Sequence, residues 1–375
     1  MTNYFPTHLA MGKAFCNRQN ELARLMHNIE NVNPTLIISP RRYGKTSLVL
    51  NAFSKIKIPY THIDFYKELS EADIEKAILN GIADLLGKME KTPQKLLKLI
   101  REFFSDMQVK IVLEDVGVSV SINRQEKKQA DNIHKALEKL HALAQSRKTK
   151  LIFYMDEFQI LGEICSNYSI EAAIRESAQK SSHVAYIFSG SSRHLMEEMF
   201  YDKKRPFYKL CDTIHLNRIS VENYIPHLQK AAMEKWQKSL DEKTIECLFK
   251  LTERHPYYIN KICSTLWLSN YPTEADVMNV WLAYTLENRS VTERELELLT
   301  INQRKLLIII ANDQLSKEPY EKDFSSLIQM QPSSTRRALK TLQLKDYIFI
   351  DSEKRYRVVD PLIKSVLRLR DGVLV

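Results

Sequence analysis

The run Ser39-Pro40-Arg41-Arg42-Tyr43-Gly44-Lys45-Thr46-Ser47 has the residue types and order to cradle a polyphosphate. It follows a short apolar stretch, Thr35 to Ile38, and opens into an apolar helical pattern from Leu48 to Phe53. A strand, a tight turn and a helix N-terminus form the context this chemistry needs. Gly44 lets backbone N–H groups approach an anion closely, and the helix start behind it carries partial positive charge. Lys45 can reach β- and γ-phosphates, and Thr46 can offer its hydroxyl to Mg²⁺. Ser39 stands where the usual pattern has glycine. The chain has only 8 Gly in 375 residues, against a usual share of about 7%. A glycine placed directly before Lys-Thr at this turn therefore weighs against a chance surface turn.

Lys150 to Glu157 reads as a buried strand ending on two carboxylates, Asp156 and Glu157. A run apolar on both faces suits a parallel sheet covered on both sides. Ligands of such sheets gather at the carboxyl ends of the strands. There Asp156 would hold Mg²⁺, directly or through water, and Glu157 would polarise a water for attack on a γ-phosphate. Acidic strand ends are common as solvated turns. The loop upstream is what gives these two a chemical task.

A length of 375 residues predicts two or three domains. A hydrophobic share of 44% and a charged share of 27% are those of a globular protein. No run approaches the ~18 apolar residues of a membrane span. The longest apolar block, Leu306 to Ala311, reads as a buried helix. Met1 to Lys13 lacks the charged-then-apolar layout of an export signal. Cys16, Cys165, Cys211, Cys247 and Cys263 are scattered, without metal-site spacing, so reduced thiols and a cytoplasmic location are expected. The net charge of +9 permits contact with nucleic acid or an acidic surface. From Arg336 to Arg370, ten Lys or Arg stand against four acids, which concentrates the excess near the C-terminus.

Strands are expected at 35–39, 60–66, 150–155, 184–189 and 212–216, separated by helices at 45–55, 71–90, 93–107, 126–147 and 170–180. A further helix is expected at 15–30. This alternation predicts an α/β fold, a three-layer αβα core around a parallel sheet. Apolar alternation at 108–123 predicts an inserted hairpin. The core is assigned residues 1–218. Residues 219–290 read as a helical lid, with Trp236, Leu248, Leu251, Ile259, Ile262 and Leu266 inside. Residues 291–375 read as a winged-helix domain: helices 292–311, 321–329 and 333–344, strands 346–350 and 355–359, and helix 361–369. Its first helix is expected to start on a cap at Thr292. Ser333 is expected to cap the recognition helix, with Arg336, Arg337 and Lys340 early in it.

Over residues 13 to 370 these boxes resemble the archaeal-type P-loop ATPases of the signal-transduction ATPase (STAND) class, relatives of AAA+ and origin-initiator ATPases. The resemblance rests on Phe15-Cys16-Asn17-Arg18, Pro40 to Leu48, Tyr154 to Gln159, Phe188-Ser189-Gly190-Ser191 and His255-Pro256-Tyr257-Tyr258, in that order. It implies that Arg18 belongs to an entry box near the adenine. It also implies that Ser189 and Ser191 lie at a sensor of the γ-phosphate, and that His255 and Pro256 lie in a lid box whose proline rests against the nucleotide. Lys209 stands where relatives often have arginine. A cation near the γ-phosphate would come from Lys209, Arg205 or Arg193, and no arginine finger is assigned among them.

The combined expectation is an adenine-nucleotide protein that uses ATP, ADP and Mg²⁺. It would hydrolyse ATP slowly and act as a switch, with Lys45 and Glu157 as its catalytic pair. The alternative is a nucleotide-dependent binding module with little hydrolysis. The winged helix would meet either duplex DNA or a protein partner. Nothing in the sequence specifies an oligomeric state.

Overall fold

The computed structural model describes residues 4–90, 92–107, 109–114, 117–122, 129–268, 270–313, 330–351, 353–370 and 373–374. The chain divides into two compact units. One comprises Arg18–Arg41 and Lys45–Leu216; the other comprises Met1–Asn17, Arg42–Gly44 and Asn217–Val375.

The first unit runs α1 (Gln19–Glu30), β1 (Thr35–Ile38), α2 (Lys45–Lys55), β2 (Tyr60–Asp64), α3 (Glu71–Met89) and α4 (Pro93–Phe103). It continues with β3 (Val109–Glu114), β4 (Gly117–Ile122), α5 (Gln129–Ser146), β5 (Leu151–Asp156), α6 (Gln159–Ile164) and α7 (Ser169–Lys180). It ends with β6 (Val184–Gly190), α8 (Arg193–Tyr201) and β7 (Asp212–His215). Five strands form one parallel sheet in the order β2-β5-β6-β1-β7. The central strands β1, β5 and β6 are buried along their whole length, as a sheet covered on both sides requires. Alternate residues serve opposite faces. Leu36, Ile38, Phe153, Met155, Tyr186 and Phe188 join the cluster built by α3, α5 and α7. Tyr154 lies on the other face, where Phe53 of α2 meets its ring at 6.0 Å. The result is the expected three-layer αβα core. β3 and β4 form the expected antiparallel hairpin.

The second unit is mostly helical: α9 (Val221–Trp236), α10 (Glu242–Thr252), α11 (Pro256–Leu266), α12 (Glu274–Glu297) and α13 (Ile301–Ala311). Then come α14 (Pro332–Leu344), β8 (Ile348–Ile350), β9 (Tyr356–Val358) and α15 (Pro361–Arg368). It holds two apolar clusters. One is built on α9 to α12; the other joins α13, α14, β8 and β9. α15 serves both, with Leu362 and Val366 in the first and Ile363 in the second. Trp281 of α12 is fully buried, and its indole N–H donates to Ser365 Oγ of α15 at 3.1 Å.

Several boundaries differ from expectation. Thr292 caps nothing: it lies inside α12, where its hydroxyl donates to the Asn288 carbonyl at 3.0 Å. A Thr followed three residues later by an acid also fits a helix interior, because the i−4 carbonyl satisfies the hydroxyl. The capping box belongs to Thr300 and Gln303, which start α13. Gln331, not Ser333, caps α14, with Pro332 at its first helical position. α1 starts at Gln19 rather than 15, because Asn17 and Arg18 both take positive φ. α4 ends at Phe103, short of 107. Of the expected lid core, Leu248, Ile259, Ile262 and Leu266 are buried, while Trp236 and Leu251 are partly so. The helix expected at 321–329 lies outside the described residues.

Replacing Trp281 with Ala would leave a large cavity between α12 and α15 and strand the Ser365 hydroxyl. A loss of about 3–5 kcal/mol is expected, read as an earlier urea transition by circular dichroism. A midpoint unchanged from wild type would contradict this packing.

Candidate functional site

Sheet register brings the first unit's chemistry together. β6 lies between β1 and β5. Ile37 pairs with Ser189, and Met155 pairs with Phe188, so Ser189 reaches the sheet end between the loop strand and the acidic strand. Asp156 there is 6% exposed. Thr46 Oγ1, at the start of α2, donates to Asp156 Oδ2 at 3.0 Å. Ser189 Oγ donates to Oδ1 over a short distance, and the Glu157 N–H reaches the same oxygen at 3.0 Å. Tyr154 Oη stands 2.9 Å from Ser189 Oγ. Since that serine has given its only proton to the carboxylate, Tyr154 must donate to it. The buried relay therefore runs from Tyr154 to Ser189 to Asp156. His62 of β2 stacks on Tyr154, with ring centres 4.6 Å apart, and its Nε2 is 3.7 Å from Asp156 Oδ2.

Burial pushes the Asp156 carboxyl up, but its partners His62 and Ser189 and the charge of Lys45 outweigh that and hold it at about 2. Burial pushes the Tyr154 hydroxyl well above its usual range, and the Asp156 charge adds to this. It is a donor at any working pH.

Glu157 has φ 50, in the left-handed region that costs a non-glycine residue free energy. Its Oε2 accepts from Gln159 Nε2 at 2.5 Å and from Ser191 Oγ at 2.6 Å. Among the described residues Oε1 accepts no hydrogen bond, so one oxygen is fixed and the other is open. Gly190 makes room for this clamp: a Cβ there would come within 2.3 Å of Gln159 Oε1 and 2.5 Å of Met196 sulfur. Both candidate sensor serines are thus turned onto carboxylates.

The loop resolves residue by residue. Ser39 is buried, avoids positive φ and turns its hydroxyl to the Pro40 carbonyl at 3.1 Å. No glycine is needed there. Positive φ falls instead on Arg42 (63) and Gly44 (89). Lys45 is 6% exposed, with Nζ 3.4 Å from the Ser39 carbonyl. The Ser47 carbonyl accepts from Asn51 at 2.7 Å inside α2, while Arg41 is exposed.

In the second unit, the Arg42 guanidinium lies 4.3 Å from the centre of the Tyr257 ring, and the Tyr43 ring meets His255 edge-on at 4.7 Å. His255 caps α11 and Pro256 is its first residue. Burial, followed by the nearby charges of Arg218 and Arg42, pushes the His255 imidazole down to about 3, so it is neutral.

Other expected residues are placed elsewhere. Arg18 precedes α1 in a left-handed turn and pairs with Glu21 at 3.1 Å. Lys209 is exposed, its ammonium 5.3 Å from the Tyr208 ring centre. Among the described residues it makes no bond to the Asp156 cluster. Arg205 is buried against Glu171 at 2.6 Å and Glu198 at 3.4 Å, which commits it to bracing α7 and α8. Arg193 is the first residue of α8.

A family model described as an ATPase domain predominantly from Archaea matches residues 15–262. The chain belongs to this family. A second model, a probable winged helix domain, matches residues 292–369. The chain is similar in fold to the Walker-type ATPase of Pyrococcus abyssi: 18% identity, 97% of this chain and 99% of that one covered, TM-score 0.67. It is also similar to the Aeropyrum pernix ORC2 protein, solved as ADPNP–ADP complexes: 13% identity, 93% and 92% covered, TM-score 0.56. No curated protein matches it. Among the described residues no helix is long and apolar enough to cross a membrane.

Within this ATPase domain, a Mg²⁺ ion fits the donor set. Thr46 Oγ1 and Asp156 Oδ2 are hard oxygens 3.0 Å apart. Adjacent corners of an octahedron with bonds of about 2.1 Å are separated by about 3 Å. Among the described residues no three His, Cys, Asp or Glu form a metal cage. Mg²⁺ commonly uses one or two carboxylates, with waters and phosphates completing its shell.

Sequence reasoning missed roles for Tyr154, Gln159 and His62. Gln159 was detectable in principle, two residues beyond Glu157 in the same turn. His62 acts from a neighbouring strand, through a register that no local pattern shows.

Asp156 lies below its ordinary value of 3.8. Its stabilisation is therefore complete above about pH 4 and is lost as pH falls toward 2, and the near two-unit gap corresponds to about 2 kcal/mol. Ser189→Ala removes one donor, so the carboxyl should titrate higher and acid unfolding should begin at higher pH. Superimposable acid curves by circular dichroism would show that Ser189 does not hold Asp156.

Proposed function

We propose that the protein is an ATP-binding, Mg²⁺-dependent ATPase of the STAND class that works as a slow nucleotide-controlled switch in the cytoplasm. The observation that carries this reading is the Thr46–Asp156–Ser189 cluster beside an orientated Glu157, at the carboxyl end of the sheet of an ATPase-family domain. Lys45 and the backbone of Ser39 to Ser47 would bind the phosphates, and Thr46 and Asp156 would hold Mg²⁺. The metal, when bound, supplies charge to offset that of the phosphates. Glu157, with Oε2 held by two donors, would present Oε1 to water as a general base. Arg18 would lie at the adenine end, and His255 and Pro256 against the nucleotide. The neutral His255 could then accept or donate a hydrogen bond but would bring no charge. Arg205 is committed to Glu171 and Glu198, and among the described residues Lys209 makes no bond to the Asp156 cluster, which agrees with slow turnover. The ADPNP and ADP named for the A. pernix relative favour adenine nucleotides as ligands. The rival, a binding module that hardly hydrolyses, keeps the cradle but leaves Glu157 idle.

The second unit bears on the partner of the winged helix. Arg355 and Arg357 each lie 3.1 Å from Asp351, and Arg357, Lys364 and Arg368 all reach Asp313. Several of the C-terminal cations are therefore engaged internally. The exposed cations on α14 are Arg336, Arg337 and Lys340. This favours duplex DNA met by α14 through phosphate contacts, with a protein partner as the alternative.

Two measurements test these readings. In calorimetry with Mg-ATP, Lys45→Ala should abolish binding. Glu157→Gln should bind but release phosphate about 10²–10⁴-fold more slowly. Unaltered phosphate release in Glu157→Gln would leave the binding module as the function. For DNA, about three phosphate contacts predict a log–log salt slope near −3, reduced by about 1 in Arg337→Ala. A flat slope would favour a protein partner.

A further inference from the structure

We propose that Arg218 is a positioning residue for the phosphate loop and couples the loop's tip to the wing of the winged helix. The coupling to nucleotide rests on the binding proposed above; the tie itself does not.

Arg218 sits two residues past the end of the first unit, where the second unit resumes at Asn217. Its guanidinium addresses three separate segments of that second unit. Nε donates to Tyr43 Oη at 3.2 Å, Nη1 to Glu253 Oε2 at 2.5 Å and Nη2 to the Val359 carbonyl at 3.0 Å. Tyr43 belongs to the loop tip, Glu253 follows α10, and Val359 follows β9 of the wing. The same guanidinium lies 5.8 Å from the ring centre of Phe349 in β8. Its side chain is 18% exposed.

The other oxygen of Glu253 is taken by Lys364 of α15 at 2.9 Å. Lys364 lies 3.5 Å from Asp313, which Arg357 of β9 reaches at 2.6 Å. Charges therefore alternate in an unbroken line from Arg218 to the wing. Burial pushes the Glu253 carboxyl up, but Arg218 and Lys364 outweigh it and keep it below its usual range. It stays an anion at neutral pH.

A guanidinium is a rigid planar fork, so its three directions cannot be adjusted independently. If Tyr43 moves, Nε loses its acceptor or the fork turns and disturbs Glu253 and Val359. Leaving one of these mostly buried groups without its partner is costly, so the arrangement moves as a unit. A ligand that holds Gly44 and Lys45 acts on residues adjoining Tyr43 in the chain. By linkage, whatever fixes the wing changes affinity for that ligand by the same factor. Nothing in the sequence marks Arg218: it lies outside every motif, and its partners are 175, 35 and 141 positions away.

The test is hydrogen exchange on the full chain, with Mg-ADP as the probe. Tyr43→Phe removes one hydroxyl and keeps the ring that meets His255. Without nucleotide it should speed exchange at 356–359 several-fold while leaving 151–156 in β5 unchanged. Arg218→Lys keeps the charge but not the fork and should do the same. Saturating Mg-ADP should alter exchange at 356–359 in wild type and not in Tyr43→Phe. Unchanged exchange in the nucleotide-free variants, or a rise spread evenly over the chain, overturns the tie. A wild-type wing indifferent to bound Mg-ADP overturns the coupling. If calorimetry finds no Mg-ADP binding to wild type, the proposed function and the coupling fall together, and the nucleotide-free comparison alone decides the tie.

Discussion

A charge taken out of water must be matched, and Asp156 is where this chain meets that demand. An isolated buried carboxylate would neutralise rather than ionise. Here donors arrive from Thr46, Ser189 and the Glu157 backbone, and His62 stands close by. These belong to the start of α2, the ends of β6 and β5, and β2. Only a sheet with β6 between β1 and β5 delivers them together. The same demand explains the hydroxyl relay behind it, because Tyr154 is buried beside an anion and keeps its proton. The site's electrostatics and the strand order are thus one constraint seen twice.

What could be read in advance was local. Gly44-Lys45-Thr46 and Asp156-Glu157 were legible because the first opens a helix just after a short apolar strand and the second ends an apolar strand. The alternation of strands and helices sufficed for the three-layer core. Hydroxyl placement was legible only in part: the end of β6 could be found, but not that Ser189 and Ser191 would divide the two carboxylates between them. Capping was misread at Thr292 because the hydrophobic pattern of one long helix continues past it. Thr300, with Gln303 three residues on, carried the true signal. Arg205 was a candidate cation for the γ-phosphate and is instead buried, because Glu171 gives it a partner that sequence distance hid.

Net charge over a window was only a partial guide to the surface. Counting from Arg336 to Arg370 leaves out Asp313 and Glu253, which fold back onto Arg357, Lys364 and Arg368. A window of sequence is not a patch of surface. Exposed cations remain at Lys345 and Lys354 and on α14, whose buried residues Thr335, Ala338, Leu339 and Leu342 line the opposite side. The helical period, rather than the total charge, decides which of them a partner can meet.

The substitution at Ser39 and the strain at Glu157 share one explanation. Tight loops that approach an anion need positive φ at some positions, and glycine supplies it cheaply. This loop assigns that need to Arg42 and Gly44 and leaves Ser39 in ordinary backbone, so the residue can be a buried serine without penalty. Glu157, like Arg42, holds a left-handed turn with a full side chain. Such strain persists only where surroundings over-determine it. Two donors on one carboxylate oxygen, with a glycine at 190 clearing space for one of them, meet that condition. A glutamate serving only as a solvated strand end would need neither the strained backbone nor the paired donors.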